Sequence, residues 1–119
     1  MNWRKWLYDK VTGLALADTY MAGTLDQTPA TKPFIAIRLE LESPNSPGLF
    51  QDATIWVHDS PGSYARIDDI ISDLKSGIIG QISDAGAIGA TWQGNSGDLV
   101  DDARGTIVKN VGLRLVGSP

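Results

Sequence analysis

The chain contains no cysteine. Disulfides, thiolate zinc sites and cysteine nucleophiles are thereby excluded, and the absence fits a reducing compartment such as a cytoplasm. Histidine is nearly as scarce. With His58 alone, a transition-metal site would have to be built almost entirely from carboxylates. Basic runs are missing too. Ten Lys and Arg stand against fourteen Asp and Glu, for a net charge of −4, and the basic residues lie singly between acidic ones. Nucleic-acid binding needs a concentrated positive face that displaces counterions from phosphates; none is visible, and no nucleic-acid sequence recognition is expected. No apolar stretch approaches the ~18–20 residues that span a bilayer. The N-terminus, Met1-Asn2-Trp3-Arg4-Lys5-Trp6, lacks the apolar core and small-residue cleavage site of a signal peptide. The expectation is a soluble protein with no membrane partner that is not exported.

What is present is ordinary for a folded domain. At 119 residues with 42% apolar content, the chain reads as a single domain over residues 1–119. A core of that size is shallow, which leaves some apolar surface for neighbours to cover.

Trp3, Trp6, Leu7, Val11 and Leu14 fall at helical spacing, predicting a short amphipathic helix over 3–12 that Gly13 weakens or ends. The stretch from Ala15 to Lys32 reads as an irregular connection with room for a short strand or helical turn. Ile35, Ile37, Leu39 and Leu41 then alternate with Ala36, Arg38, Glu40 and Glu42, a strand with one apolar and one largely charged face. A turn-rich segment follows, Ser43-Pro44-Asn45-Ser46-Pro47-Gly48, and a second strand around Ala53–Asp59 completes an antiparallel hairpin. Ser60-Pro61-Gly62-Ser63 is a helix-start signal, by Ser capping and by Pro at a first helical position. Tyr64, Ile67, Ile71, Leu74 and Ile78 recur at spacings of three and four to mark the helix itself. A Gly- and Ser-rich stretch, 80–97, holds a short apolar piece around Ile88–Trp92. The last strand, Gly105–Val116, sets Ile107, Val111, Leu113 and Leu115 on one face with Lys109 as the exception, and pairs with the strand near Trp92 across the loop Gly94–Arg104. The order α-β-β-α-β-β predicts an α+β fold, an antiparallel sheet with helices packed on one face.

The candidate chemistry is thin. His58, Asp59 and Ser60 stand in a row, but adjacent strand residues point to alternate faces whereas a catalytic triad must converge. They read as a strand-end His, a turn Asp and a helix-capping Ser. Asp98, Asp101 and Asp102 form the densest acidic group, without EF-hand spacing or its terminal Glu, and read as a solvated loop able to pair with basic residues on a partner. Gly86–Gly89 lacks the Lys-Ser/Thr of a phosphate-binding loop. Of four tryptophans, Trp56 alone sits on the polar face of its strand, where interface anchor and second-layer core are both open. No catalytic, cofactor-binding or metal site is predicted, and a non-enzymatic binding or structural role is expected.

The segments Trp3-Arg4-Lys5-Trp6-Leu7 and Lys32-Pro33-Phe34-Ile35-Ala36-Ile37-Arg38 resemble the opening of small neck and tail-completion proteins of long-tailed phages. The run Trp56-Val57-His58-Asp59-Ser60-Pro61-Gly62-Ser63-Tyr64, leading into Ile67-Asp68, is similar to the matching stretch of tail terminator proteins from phages of actinobacteria. The closing Gly105–Val108 and Leu113–Gly117 segments resemble their final strand. The likeness runs in order through most of the chain and is weakest over 15–29 and 80–88. It implies a sheet flanked by helices and a homo-oligomeric, six-fold ring that caps the tail tube, stops its polymerisation and offers a surface for head–tail joining. The implied partners are further copies of itself, the tail tube protein and a head–tail connector. The implied location is the tail–neck junction of the virion, after assembly in the host cytoplasm. The alternatives are a head-completion or adaptor subunit of the same neck, or a small ligand- or metal-binding module. On this reading Arg38, Glu40, Glu42, Trp56, Asp98, Asp101, Asp102 and Arg104 are the residues expected to meet other subunits or the tail.

Overall fold

A computed structural model describes residues 3–22, 31–42, 50–79 and 88–117, apart from the side chains of Leu41, Glu42 and Ile88. Helix α1 (Trp3–Gly13) buries Trp3, Leu7 and Val11, one residue per turn on a single stripe. It unwinds past Gly13, where the Leu14 and Ala15 amides donate to the Val11 and Thr12 carbonyls, and Ala15 takes a left-handed φ of 54°. Strand β1 (Asp18–Met21) follows and lies parallel to β2 (Phe34–Glu42). Its four residues are too few to show an alternation, which is why the sequence leaves only room for it. Strand β3 (Phe50–Asp59) closes the expected antiparallel hairpin with β2.

Helix α2 (Tyr64–Ile78) follows, with Ile67, Ile70, Ile71, Leu74 and Ile78 buried. Its start differs from the predicted signal. Pro61 lies in the turn ahead of the helix, and Ser63 occupies the N-cap without a side-chain cap hydrogen bond, contributing only its carbonyl to the Ile67 amide. Strand β4 (Ile88–Asn95), the short β5 (Leu99–Asp101) and β6 (Thr106–Gly117) complete the chain. The sheet order is β1-β2-β3-β6-β4, with β5 also paired to β6 beyond the end of β4. Every pairing is antiparallel except β1–β2.

Both helices cover one face. Ile35 and Ile37 of β2, Ala53, Ile55 and Val57 of β3, and Ile107, Val111, Leu113 and Leu115 of β6 meet the buried stripes of α1 and α2 in one core. Burying such aliphatic side chains contributes about 1.5–3 kcal/mol each, and this packing rather than helix propensity holds α1 and α2 in place. Gly77 of α2 lies directly against the Leu14 side chain just past α1, which would have to shift to admit a Cβ there. Two ion pairs fasten α2 to the sheet. Arg66 grips the fully buried Asp59 carboxylate through Nε (2.6 Å) and Nη2, and Lys109 reaches Asp68 at 2.7 Å. Lys109, the exception in the β6 pattern, is thus a charged residue on the apolar face whose partners are Asp68 and, at 3.3 Å, Asp98.

Two bulges shape the strands. One extra residue on β2 between Leu39 and Glu42 interrupts the ladder, and the buried Gln51 fills in by donating from Nε2 to the Glu40 carbonyl. One extra residue on β4 between Trp92 and Gly94 does the same opposite β6. Gly94 has a φ of 116° there, a conformation that a residue with a Cβ rarely adopts.

Candidate functional site

Strand alternation sends the remaining side chains to the second sheet face, on which no helix packs among the described residues. Its floor is apolar. Phe34 and His58 are directly paired across β2 and β3, and their rings stack at 4.6 Å with planes 7° apart. Tyr20 of β1 meets Phe34 edge-on at 6.4 Å. Ala36 and Val108 complete the buried part. Beside them β5 and the turn after it rise to form one wall of an open groove of about 490 Å³, with Trp56 and His58 in its floor and Leu99, Asp101 and Arg104 in its wall.

Next to the groove lies a stripe of charges that neutralise one another. Arg38 stacks its guanidinium 4.7 Å from the Trp56 ring centre and donates from Nε to Glu40 Oε1 at 2.8 Å. The Thr54 hydroxyl donates to the same oxygen at 2.9 Å. Arg38, joined by Thr54, holds the Glu40 carboxyl below its usual range despite burial. Further along, Arg114 forks onto Asp52 at 2.8 and 3.2 Å and lies over the Phe50 ring. Exposed pairs of this kind contribute little stability. They fix side-chain shape and leave a firm, locally neutral surface around a half-buried aromatic, a composition suited to contact with protein.

The groove brings together four of the residues singled out from sequence: Trp56, Asp101, Asp102 and Arg104. Arg38 and Glu40 lie on the same face beside them. The Glu42 side chain, most of the Ser43–Asp52 loop, residues 23–29 of the 15–29 stretch, and most of 80–88 lie outside the described residues. Asp98 is separated from the rest, because it turns to the helix-covered side and pairs with Lys109. Asp101 accepts a hydrogen bond from the Arg104 amide at 3.1 Å, closing the turn after β5. Asp102 is exposed. Among the described residues, no three His, Cys, Asp or Glu side chains cluster in a way that would hold a metal ion.

His58, Asp59 and Ser60 diverge as strand geometry requires. Two of their assigned roles change. Asp59 is the buried end of β3 clasped by Arg66, with the Ser60 amide donating to it at 2.7 Å, and Ser60 accepts the Ser63 amide in a turn instead of capping the helix. Sequence reasoning missed Phe34 as the centre of the second face and Leu99 and Val100 as exposed apolar residues. The only available signal for Leu99 and Val100 was their position between acidic residues in a presumed polar loop.

Burial holds the His58 imidazole below its ordinary value of 6.5, with Asp101 opposing and Arg104 reinforcing the shift. Its Nδ1 shares a 2.9 Å hydrogen bond with the buried Thr106 hydroxyl. A histidine with a depressed folded pKa binds its proton more readily when unfolded. His58 therefore lowers stability as pH falls from 6.5 toward its folded pKa, and has no effect above 6.5. Since it is the only histidine, one imidazole resonance should titrate below 6.5, and His58→Gln should flatten the stability profile in that window. A midpoint at or above 6.5 would contradict the buried, neutral ring.

No protein-family model matches the chain, and no curated protein matches it. Solved structures do. A chain of the virion of a native gene transfer agent particle superposes with a TM-score of 0.70 at 10% identity, over 95% of this chain and 92% of that one. The bacteriophage SPP1 gp17 protein superposes with a TM-score of 0.59 at 12% identity, over 98% of this chain and 94% of the other. At these identities the likeness is one of fold. It covers nearly the full length of all three chains.

Proposed function

We propose that the chain is a structural subunit of a phage-like virion, placed at the tail–neck junction. There it forms a homohexameric ring that caps the tail tube, ends its polymerisation and presents a surface for joining the head. The observation that carries this reading is the near full-length fold likeness to a gene transfer agent virion chain and to a bacteriophage protein. The sheet face on which no helix packs among the described residues supports it. Its groove and neutralised charge stripe suit contact with another protein, and among the described residues no three metal-ligating side chains cluster. A non-enzymatic role follows from the same reading, as do partners in the tail tube protein and a neck connector.

Trp56 is the anchor expected to matter most. It is half-buried, pinned by Arg38, and central on the open face. Trp56→Ala should weaken binding to tubes of the cognate tail protein by about 30-fold or more, which corresponds to the ~2 kcal/mol of a hot-spot aromatic. The fold should persist. Co-sedimentation with assembled tail tubes measures the first effect and circular dichroism the second. Wild-type protein that fails to sediment with tubes, or a Trp56→Ala variant that binds them as well as wild type, would count against the reading.

A further inference from the structure

The sheet ends in two unlike edges, and each carries a surface feature that the other lacks. At the β5 edge, Leu99 and Val100 are exposed to 44% and 67%, next to the exposed carboxylate of Asp102. Asp102 makes no ion pair or hydrogen bond among the described residues. At the β1 edge, α1 and β1 enclose a groove of about 450 Å³ whose apolar walls are Tyr8, Tyr20 and Met21. At its rim Lys5 pairs with Asp9 at 2.6 Å. Arg4, also at the rim, is exposed and has no ionic partner among the described residues. One edge thus offers an apolar knob beside an uncompensated negative charge. The other offers an apolar cleft beside an uncompensated positive charge.

We infer that the β5 tip of one copy docks into the α1–β1 groove of the next, with Val100 entering the cleft and Asp102 meeting Arg4. The occupant is a second copy of this chain because both halves of the contact are on one chain at opposite ends of one sheet. Four strand spacings separate β1 from β5 in the sheet order, about 19 Å across. A head-to-tail contact between two different patches repeats from copy to copy and closes into a ring when its rotation divides a full turn. Beyond β6, β5 has no other strand partner among the described residues. The inference rests on the ring-forming reading above and names its interface.

Charge exchange tests it on the full-length protein by sedimentation velocity over a concentration series. Arg4→Glu and Asp102→Lys should each weaken self-association by at least about tenfold, through like charges facing across the contact. Combined in one chain, they should restore it to near the wild-type level. The absence of cysteine gives a second readout, since Tyr8→Cys with Val100→Cys should form an intermolecular disulfide that neither single variant forms. Unaltered association in the single variants, no recovery in the double variant, no cross-link, or a wild-type chain that stays monomeric at every concentration with and without added tail tubes would each overturn the inference. Tail-tube binding measured in parallel separates the two ideas. Binding without charge-swap recovery overturns this interface and leaves the neck role standing. Recovery without tube binding does the reverse.

Discussion

Phe34→Ala is expected to cost about 3–4 kcal/mol, as much as a large deletion in the helix-covered core. Phe34 lies on the face without helices, yet it is fully buried. Its ring stacks on His58 at 4.6 Å and takes the edge of Tyr20 at 6.4 Å, so truncation removes both contacts and the buried area together. Neighbouring strands hold the surrounding backbone apart, which limits collapse into the space left behind. Urea denaturation with an unchanged m-value would measure the loss. A cost below about 1 kcal/mol would mean that the second face is not packed as described, and that its groove is not pre-formed for a partner.

Arg66→Met should reverse the sign with which Asp59 contributes to the pH dependence of stability. Burial pushes the Asp59 carboxyl up, but hydrogen bonds from Arg66 and the Ser60 amide, with the guanidinium charge, outweigh it and hold the group below its ordinary value of 3.8. In the native protein this contribution is present above 3.8 and is lost as pH falls through the depressed folded pKa. Without the guanidinium, burial acts against the Ser60 bond alone and the folded pKa rises above 3.8. The sign then inverts. The carboxyl is tolerated at low pH, and stability is lost as pH rises from 3.8 through the folded value. The gap between native and variant stability should therefore widen from about pH 3 to pH 6, with a fall of several degrees in Tm near neutrality, because breaking a buried pair leaves an uncompensated charge. Parallel pH profiles for the two proteins would contradict the role of Arg66 as the clasp between β3 and α2.

The elements legible in the sequence were those whose pattern is long. The β2 and α2 stripes repeat often enough to reveal a strand of nine and a helix of fifteen residues. The β6 pattern was readable despite Lys109, whose apolar-side position is explained by Asp68 and Asp98, neither of which is near it in the chain. Strands β1 and β5 are four and three residues long and exist through pairing with longer neighbours, an effect of tertiary context that local pattern does not carry. The site was partly legible for the same reason. Trp56, Arg38 and Glu40 announce themselves by standing on the polar side of alternating strands. Asp101, Asp102 and Arg104 were grouped by proximity in sequence, and that proximity also drew in Asp98, which a single turn of backbone sends to the opposite side. Phe34 shares the Ala36–Arg38 face by alternation, but an aromatic at the start of a strand reads as core, and the stacking on His58 places it at the centre of that face.

The central claim is that identical copies of this chain assemble into a closed ring that seats on a tail tube. Absolute molar mass by light scattering across a concentration series, with negative-stain images of the same fractions, tests it most directly. A discrete hexamer with an open centre is expected, alone or on the ends of added tail tubes. A chain that remains monomeric at every concentration, and leaves tube ends bare, would contradict it.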